Sequence, residues 1–111
     1  MNLAYIRDLK TIGTIIEYSR SLLGGKYLIE IDGSQKYYKA SNITPLNKEF
    51  TNKDLWRLVD FKLLPDGAEF KNNRGISIKL RQDKLVPLTE IDALHSEELY
   101  KLHDKWIFQK V

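Results

Sequence analysis

GGKYLIEIDGSQKYYKASNITPLN (residues 24–47) reads as a hairpin that leaves its sheet at a proline, and a looser version, DGAEFKNNRGISIKLRQDKLVPLT, returns at residues 66–89. Laid over each other at a constant offset, the two share Gly25 with Gly67, Gly33 with Gly75, Pro45 with Pro87 and Leu46 with Leu88. Asp32-Gly33 in the first copy and Asn72-Asn73-Arg74-Gly75 in the second supply residue types that tolerate a tight reversal between strands. Each proline lacks an amide donor and marks where pairing stops. The strands predicted from this pattern are Ile12–Tyr18, Lys26–Ile31 and Lys36–Ala40 in the first half. In the second half they are Phe61–Leu64, Ala68–Lys71 and Ile76–Arg81.

Beyond the hairpins the match continues into two amphipathic stretches. DLWRLVD (54–60) and ELYKLHD (98–104) share the series acid, Leu, aromatic, base, Leu, any residue, Asp. Leu55 with Leu58, and Leu99 with Leu102, are pairs spaced to share one helical face, and Trp106 extends the second stripe by a turn. These five are the predicted core of the helices. Thr51 with Asp54 has the form of an N-cap and its capping-box acid, and Ser96 is placed to cap the later helix. LAYIRDLK (3–10) shares Leu, Asp and Lys with LWRLVDFK (55–62), which suggests a third, N-terminal helix. The expected class is therefore α+β, with a small antiparallel, barrel-like sheet. Two related hairpin-plus-helix units, about 25–60 and 67–104, follow an additional N-terminal segment within a single domain, 1–111.

Composition is consistent with one folded unit. The chain has 111 residues, 42% hydrophobic and 30% charged, and no low-complexity stretch, which argues against intrinsic disorder. No apolar run is long enough to span a bilayer, MNLAYIRDLK lacks a signal-peptide core, and there is no cysteine. The expectation is a cytoplasmic protein, of bacterial type or from a mobile element, with no membrane partner. The excess of 18 basic over 15 acidic residues is mild, so its distribution matters more than its sum. Residues 71–84 carry Lys71, Arg74, Lys79, Arg81 and Lys84 against Asp83 alone, and the chain then turns acidic at Glu90, Asp92, Glu97 and Glu98. A solvated charged face, with carboxylates favoured at a helix start, accounts for this without a ligand.

GTIIEY (13–18) followed by KYLIEIDGSQKYYKASNITPL (26–46) resembles a Tudor- or SH3-like small β-barrel. The resemblance is one of order: a Gly-led strand, a strand ending Ile-Asp-Gly, and a strand leading to Ala-Ser-Asn-Ile-x-Pro-Leu. It implies a binding module for peptides or nucleic acids, with aromatics at the barrel mouth, for which Tyr18, Tyr27, Tyr37 and Tyr38 are the candidates.

Catalytic and metal patterns are poor. His95 and His103 are eight residues apart, two helical turns and about 12 Å, too far to share one ion. Pro65-Asp66 with Glu69 and Lys71 mimics a PD…ExK nuclease signature, but Pro-Asp-Gly is better read as a turn that leaves no room for a strand between the acids. Glu30 and Asp32 have no base at a recognisable offset, and no serine sits in a GxSxG frame. No catalytic residue, metal site or cofactor is expected.

Lys39 and Arg81 occupy equivalent places in the two hairpins. Strand alternation sends Ile76, Ile78, Leu80 and Tyr38 inward, and Lys79, Arg81, Tyr37 and Lys39 outward. A face bearing Tyr37, Lys39, Lys79 and Arg81, with Arg74 nearby, combines stacking rings with phosphate-binding cations. The bland alternative is an exposed face that uses cations for solubility and edge protection. Trp56 and Tyr100 also correspond, as core-widening aromatics or as anchors for a protein partner. The first expectation is thus a non-enzymatic module binding a protein or nucleic acid. A small inhibitory or ligand-sequestering protein of a phage or other mobile element, acting as a homo-oligomer, is the alternative. A metal-dependent nuclease ranks last.

Overall fold

The computed structural model describes residues 2–88 and 105–111, which form two compact units, Met1–Asn47 and Lys48–Val111. The observed class is mostly β. Two five-stranded antiparallel sheets and one short helix make up the described residues. The boundary after Asn47 falls inside the first of the expected repeat units.

The first unit contains β1 (Leu3–Ile6), β2 (Thr11–Ser21), β3 (Gly24–Ile31), β4 (Ser34–Lys39), a 3-10 turn (Ala40–Asn42) and β5 (Ile43–Pro45). Its sheet runs β4-β3-β2-β1-β5, a meander whose last strand returns to pair with the first. Residues 3–10, expected to be helical, are instead β1 and a turn. Ala4, Tyr5 and Ile6 are all buried, a continuous apolar run suited to a strand covered on both faces rather than to a helix with one wet side. Ala4, Ile6, Ile29 and Ile43 form the core, with Ile15, Tyr27, Ile31 and Tyr38 packed against it. A register shift between Ile15 and Glu17 in β2 turns Ile16 outward, where it is exposed.

The second unit contains β6 (Glu49–Thr51), α1 (Asn52–Asp60), β7 (Glu69–Asn72), β8 (Ser77–Arg81), β9 (Lys84–Pro87) and β10 (Lys105–Lys110), in sheet order β6-β10-β7-β8-β9. The capping box is formed as expected: Thr51 Oγ1 accepts from the Asp54 amide at 3.1 Å, and the Asp54 carboxylate accepts from the Thr51 amide at 3.3 Å. The buried face of α1 is Leu55 with Val59, an i, i+4 pair, while Leu58 is only half-buried. Phe61–Leu64 is not the expected strand. The Lys62 amide donates to Val59 O and the Leu63 amide to Leu58 O, and Lys62 adopts φ 56°, so these residues terminate the helix.

Trp106 is buried as expected, but on β10 and not on a helix. Lys105–Lys110 alternates with Trp106 buried, Ile107 half-exposed and Phe108 partly buried, the period of a strand. Phe70 meets Phe50 and Phe108 edge-to-face, at 5.8 and 5.7 Å between ring centroids, and gives this unit an aromatic core. Asn72 closes the β7–β8 turn, its buried Oδ1 accepting from the Arg74 and Ile76 amides at 2.9 and 2.8 Å. The second predicted helix, with Leu99, Tyr100 and Leu102, lies outside the described residues, as do Ser96 and both histidines.

Candidate functional site

Strand β4, SQKYYK, alternates as its sequence demands: Tyr38 turns toward the core, while Tyr37 and Lys39 face solvent. It is an edge strand, so its outer backbone groups have no strand neighbour in the sheet. The chain then enters the 3-10 turn, whose last residue forms a clamp. The carbonyl of Asn42 accepts from the Arg7 amide at 3.1 Å, and its side-chain Oδ1 accepts from the Asp8 amide at 3.0 Å. This pair fastens the β1–β2 turn to the end of β4 and brings Arg7 to Lys39.

The result is an open cleft of about 520 Å³, lined by Arg7, Asp8, Tyr37, Tyr38, Lys39, Ser41 and Asn42. Two cations face one carboxylate there. Among the described residues Arg7 Nε is buried without a hydrogen-bond acceptor, while the Arg7 side chain lines the cleft beside Lys39. Tyr37 is tied down on the outer face: its hydroxyl donates to Glu17, and Lys26 Nζ sits 4.8 Å from its ring centroid. The hydrogen bond to Glu17, then partial desolvation and the charge of Glu17, hold the Tyr37 phenol above its ordinary pKa of 10.0. Lys36 Nζ stands 5.9 Å from the Tyr38 ring centroid.

The four residues expected on one face are divided. Tyr37 and Lys39 belong to the first unit's sheet, whereas Lys79 and Arg81 lie on β8 in the second unit's sheet. Lys79 is directly opposite Glu69, which also pairs with Lys110 at 3.8 Å, and this local neutralisation suits a solvated face. Arg81 stands opposite Lys84 beside the Gln82-Asp83 turn, and Arg74 is exposed in the β7–β8 turn. Trp56 is half-buried on α1. Of the four tyrosines proposed for a barrel mouth, Tyr18 stacks on Tyr27 at 4.7 Å between centroids, and Tyr27 and Tyr38 pack against the core. Only Tyr37 and Tyr38 reach the cleft. Pro65-Asp66-Gly67 is a turn, with the Ala68 amide on Pro65 O at 3.2 Å. Among the described residues no group of three His, Cys, Asp or Glu is placed to hold a metal ion, and no helix is long and apolar enough to cross a membrane.

Arg7 and Asn42 escaped the sequence reading because a helical assignment to 3–10 hid the turn that carries Arg7. The available signal was the unbroken apolar run Leu3–Ile6 ahead of Arg7-Asp8. No family model, curated protein or solved structure matches the chain.

Proposed function

We propose that the chain is a non-enzymatic binding module that takes single-stranded nucleic acid in the cleft between Arg7 and Lys39. The observation that carries this reading is the open cleft that Arg7 and Lys39 line together with Tyr37 and Tyr38. Phosphate is the acceptor that a planar guanidinium fits best, and tyrosine rings stack on bases of any sequence. The five-strand meander, with its 3-10 turn before a last strand that rejoins the first, supports assigning this unit to the Tudor- or SH3-like small barrels. An internal duplication of hairpins β3–β4 and β7–β8 rests on the repeated glycines and Pro-Leu pairs alone, since Leu28 stands opposite Tyr37 whereas the aligned Phe70 stands opposite Ile78, a register one residue away. Work in the cytoplasm fits this reading.

A second reading has an observation of its own: a cleft of about 520 Å³ falls in the size range of small-ligand sites, so a sequestered small anion would also fit. Titration of labelled single-stranded DNA, labelled RNA and a mononucleotide at two salt concentrations separates the two. A polymer ligand gives affinity that rises with oligonucleotide length and falls steeply with salt. Equal affinity for the mononucleotide supports sequestration, and flat curves for all three sink both readings.

A further inference from the structure

Three hairpins among the described residues turn on two residues. Asp32-Gly33 has φ of 50° and 82°, and Gln82-Asp83 has 50° and 62°, the left-handed pairs that tight hairpins favour, and both tips are polar. The third tip is Leu22-Leu23. Neither leucine has positive φ, because Gly24 absorbs it at 113°, so backbone geometry leaves these two positions open to polar residues. Both leucines are nonetheless wholly in solvent, at 106% and 101% of full exposure. Apolar residues at a turn that demands none mark a place where a local rule yields to function.

The arm behind the tip is closely packed. Ser21 Oγ donates to Gly24 O at 2.7 Å, and Tyr18 lies against Gly25 so closely that a Cβ there would overlap its ring. The arm is also positive. Arg20, opposite Gly25, shares the Tyr18 face of the arm, Lys26 and Lys39 stand opposite each other on the reverse face, and Lys26 is about 7 Å below the turn at ~3.3 Å per residue. The nearest carboxylate along the arm, Glu17, is occupied by the Tyr37 hydroxyl. Lys39 stands opposite Lys26 and also lines the cleft, which links the arm to the cleft.

We propose that Leu22 and Leu23 form a wedge that enters between stacked bases at a junction of single- and double-stranded nucleic acid, while Arg20, Lys26 and Lys39 hold the flanking phosphates. The proposal rests on the nucleic-acid reading of the cleft and adds a structural preference to it. Apolar wedges kink and unstack base steps in this way, and a step beside an unpaired strand opens at the lowest cost. A charged collar over an apolar tip matches the chemistry of stacked bases between phosphates.

The test uses the full chain with a forked DNA carrying 2-aminopurine at the junction, a single strand of equal length, and vesicles of phosphatidylserine and phosphatidylcholine. The native protein is expected to bind the fork about tenfold or more tightly than the single strand and to raise 2-aminopurine fluorescence by unstacking. Leu22→Ser with Leu23→Ser, at fully exposed positions, should abolish the rise and the fork preference while leaving single-strand affinity within about threefold. An unchanged rise in the double variant overturns the wedge and leaves the cleft reading standing. Failure of the native protein to bind either DNA overturns both. If the double variant instead loses only vesicle binding, or only self-association in sedimentation, the tip serves a lipid surface or a second copy and the proposal is wrong.

Discussion

Ala40-Ser41-Asn42 and Gln82-Asp83-Lys84 hold the same places in the two halves of the chain, aligned by Gly33 and Gly75, yet they send it in different directions. The first makes a 3-10 turn, and β5 leaves β4 to pair with β1. The second makes a tight reversal, and β9 folds back along β8. As a consequence β4 remains an edge, with Asn42 holding Arg7 against it, whereas β8 is covered on both sides. One hairpin acquires a cleft and the other becomes interior to its sheet. The strands before these turns differ as well: Ile29, buried, aligns with the exposed Lys71, and the exposed Ser34 and Lys36 align with the buried Ile76 and Ile78.

The largest expected effects lie in the contrasting cores, aliphatic in the first unit and aromatic in the second. Phe70→Ala should cost about 3–5 kcal/mol by denaturant unfolding, since Phe70 is fully buried between Phe50 and Phe108. Ile29→Ala, in the small aliphatic cluster, should cost about 2–5 kcal/mol, and a negligible cost at either site would show that its core is misassigned.

Asn42→Ala sharpens the comparison directly. Loss of the side-chain acceptor for the Asp8 amide should cost about 1 kcal/mol and loosen Arg7, whereas Lys84→Ala at the equivalent place should fall within about 0.5 kcal/mol of the parent. Equal costs would mean that Asn42 is no clamp.

Thr51→Ala, at a helix start without counterpart in the first unit, should cost about 1 kcal/mol. Its effect should depend on pH. Hydrogen bonds from the Thr51 backbone and side chain hold the Asp54 carboxyl below its ordinary pKa of 3.8. A depressed carboxyl contributes stability above the unfolded value and loses it as pH falls through the folded one, so the gap between parent and variant should narrow in acid. A gap that stays constant down to strongly acid pH would exclude the Asp54 link.

The smallest effects should have opposite signs at two positions matched when Gly33 is aligned with Gly75. Asp83→Gly relieves a left-handed residue at φ 62° and should stabilise by up to about 1 kcal/mol. Ser41→Gly, where φ is not positive, should destabilise by about 0.5–1 kcal/mol. Like signs would erase the distinction between the two turns.

Much of the sheet was legible because alternation and turn chemistry are local. Ile76, Ile78 and Leu80 point inward, Tyr37 and Lys39 outward, and Thr51 caps α1, all as the sequence indicates. Strand partnership was not legible, because the choice of β5 for β1 over β4 is made by tertiary contact. The run Leu3–Ile6 misled for the same reason: a strand buried on both faces loses its alternation, and Leu-x-x-x-x-Asp spacing then passes for a helix. Trp106 was placed in the core correctly and on the wrong element, since burial follows from its size while strand or helix depends on its neighbours. The candidate site was half legible: Tyr37 and Lys39 follow from alternation, but Arg7 reaches them only through Asn42.

The most direct test of the cleft is the salt dependence of single-stranded oligonucleotide binding in two double variants. Each phosphate held on a single strand contributes about −0.7 to the slope of log affinity against log salt. Arg7→Ala with Lys39→Ala should flatten the slope by about 1–2 units, and Lys79→Ala with Arg81→Ala, on the other sheet, should leave it unchanged. Equal flattening in both variants, or flattening in the second alone, would contradict the assignment of binding to the edge of β4.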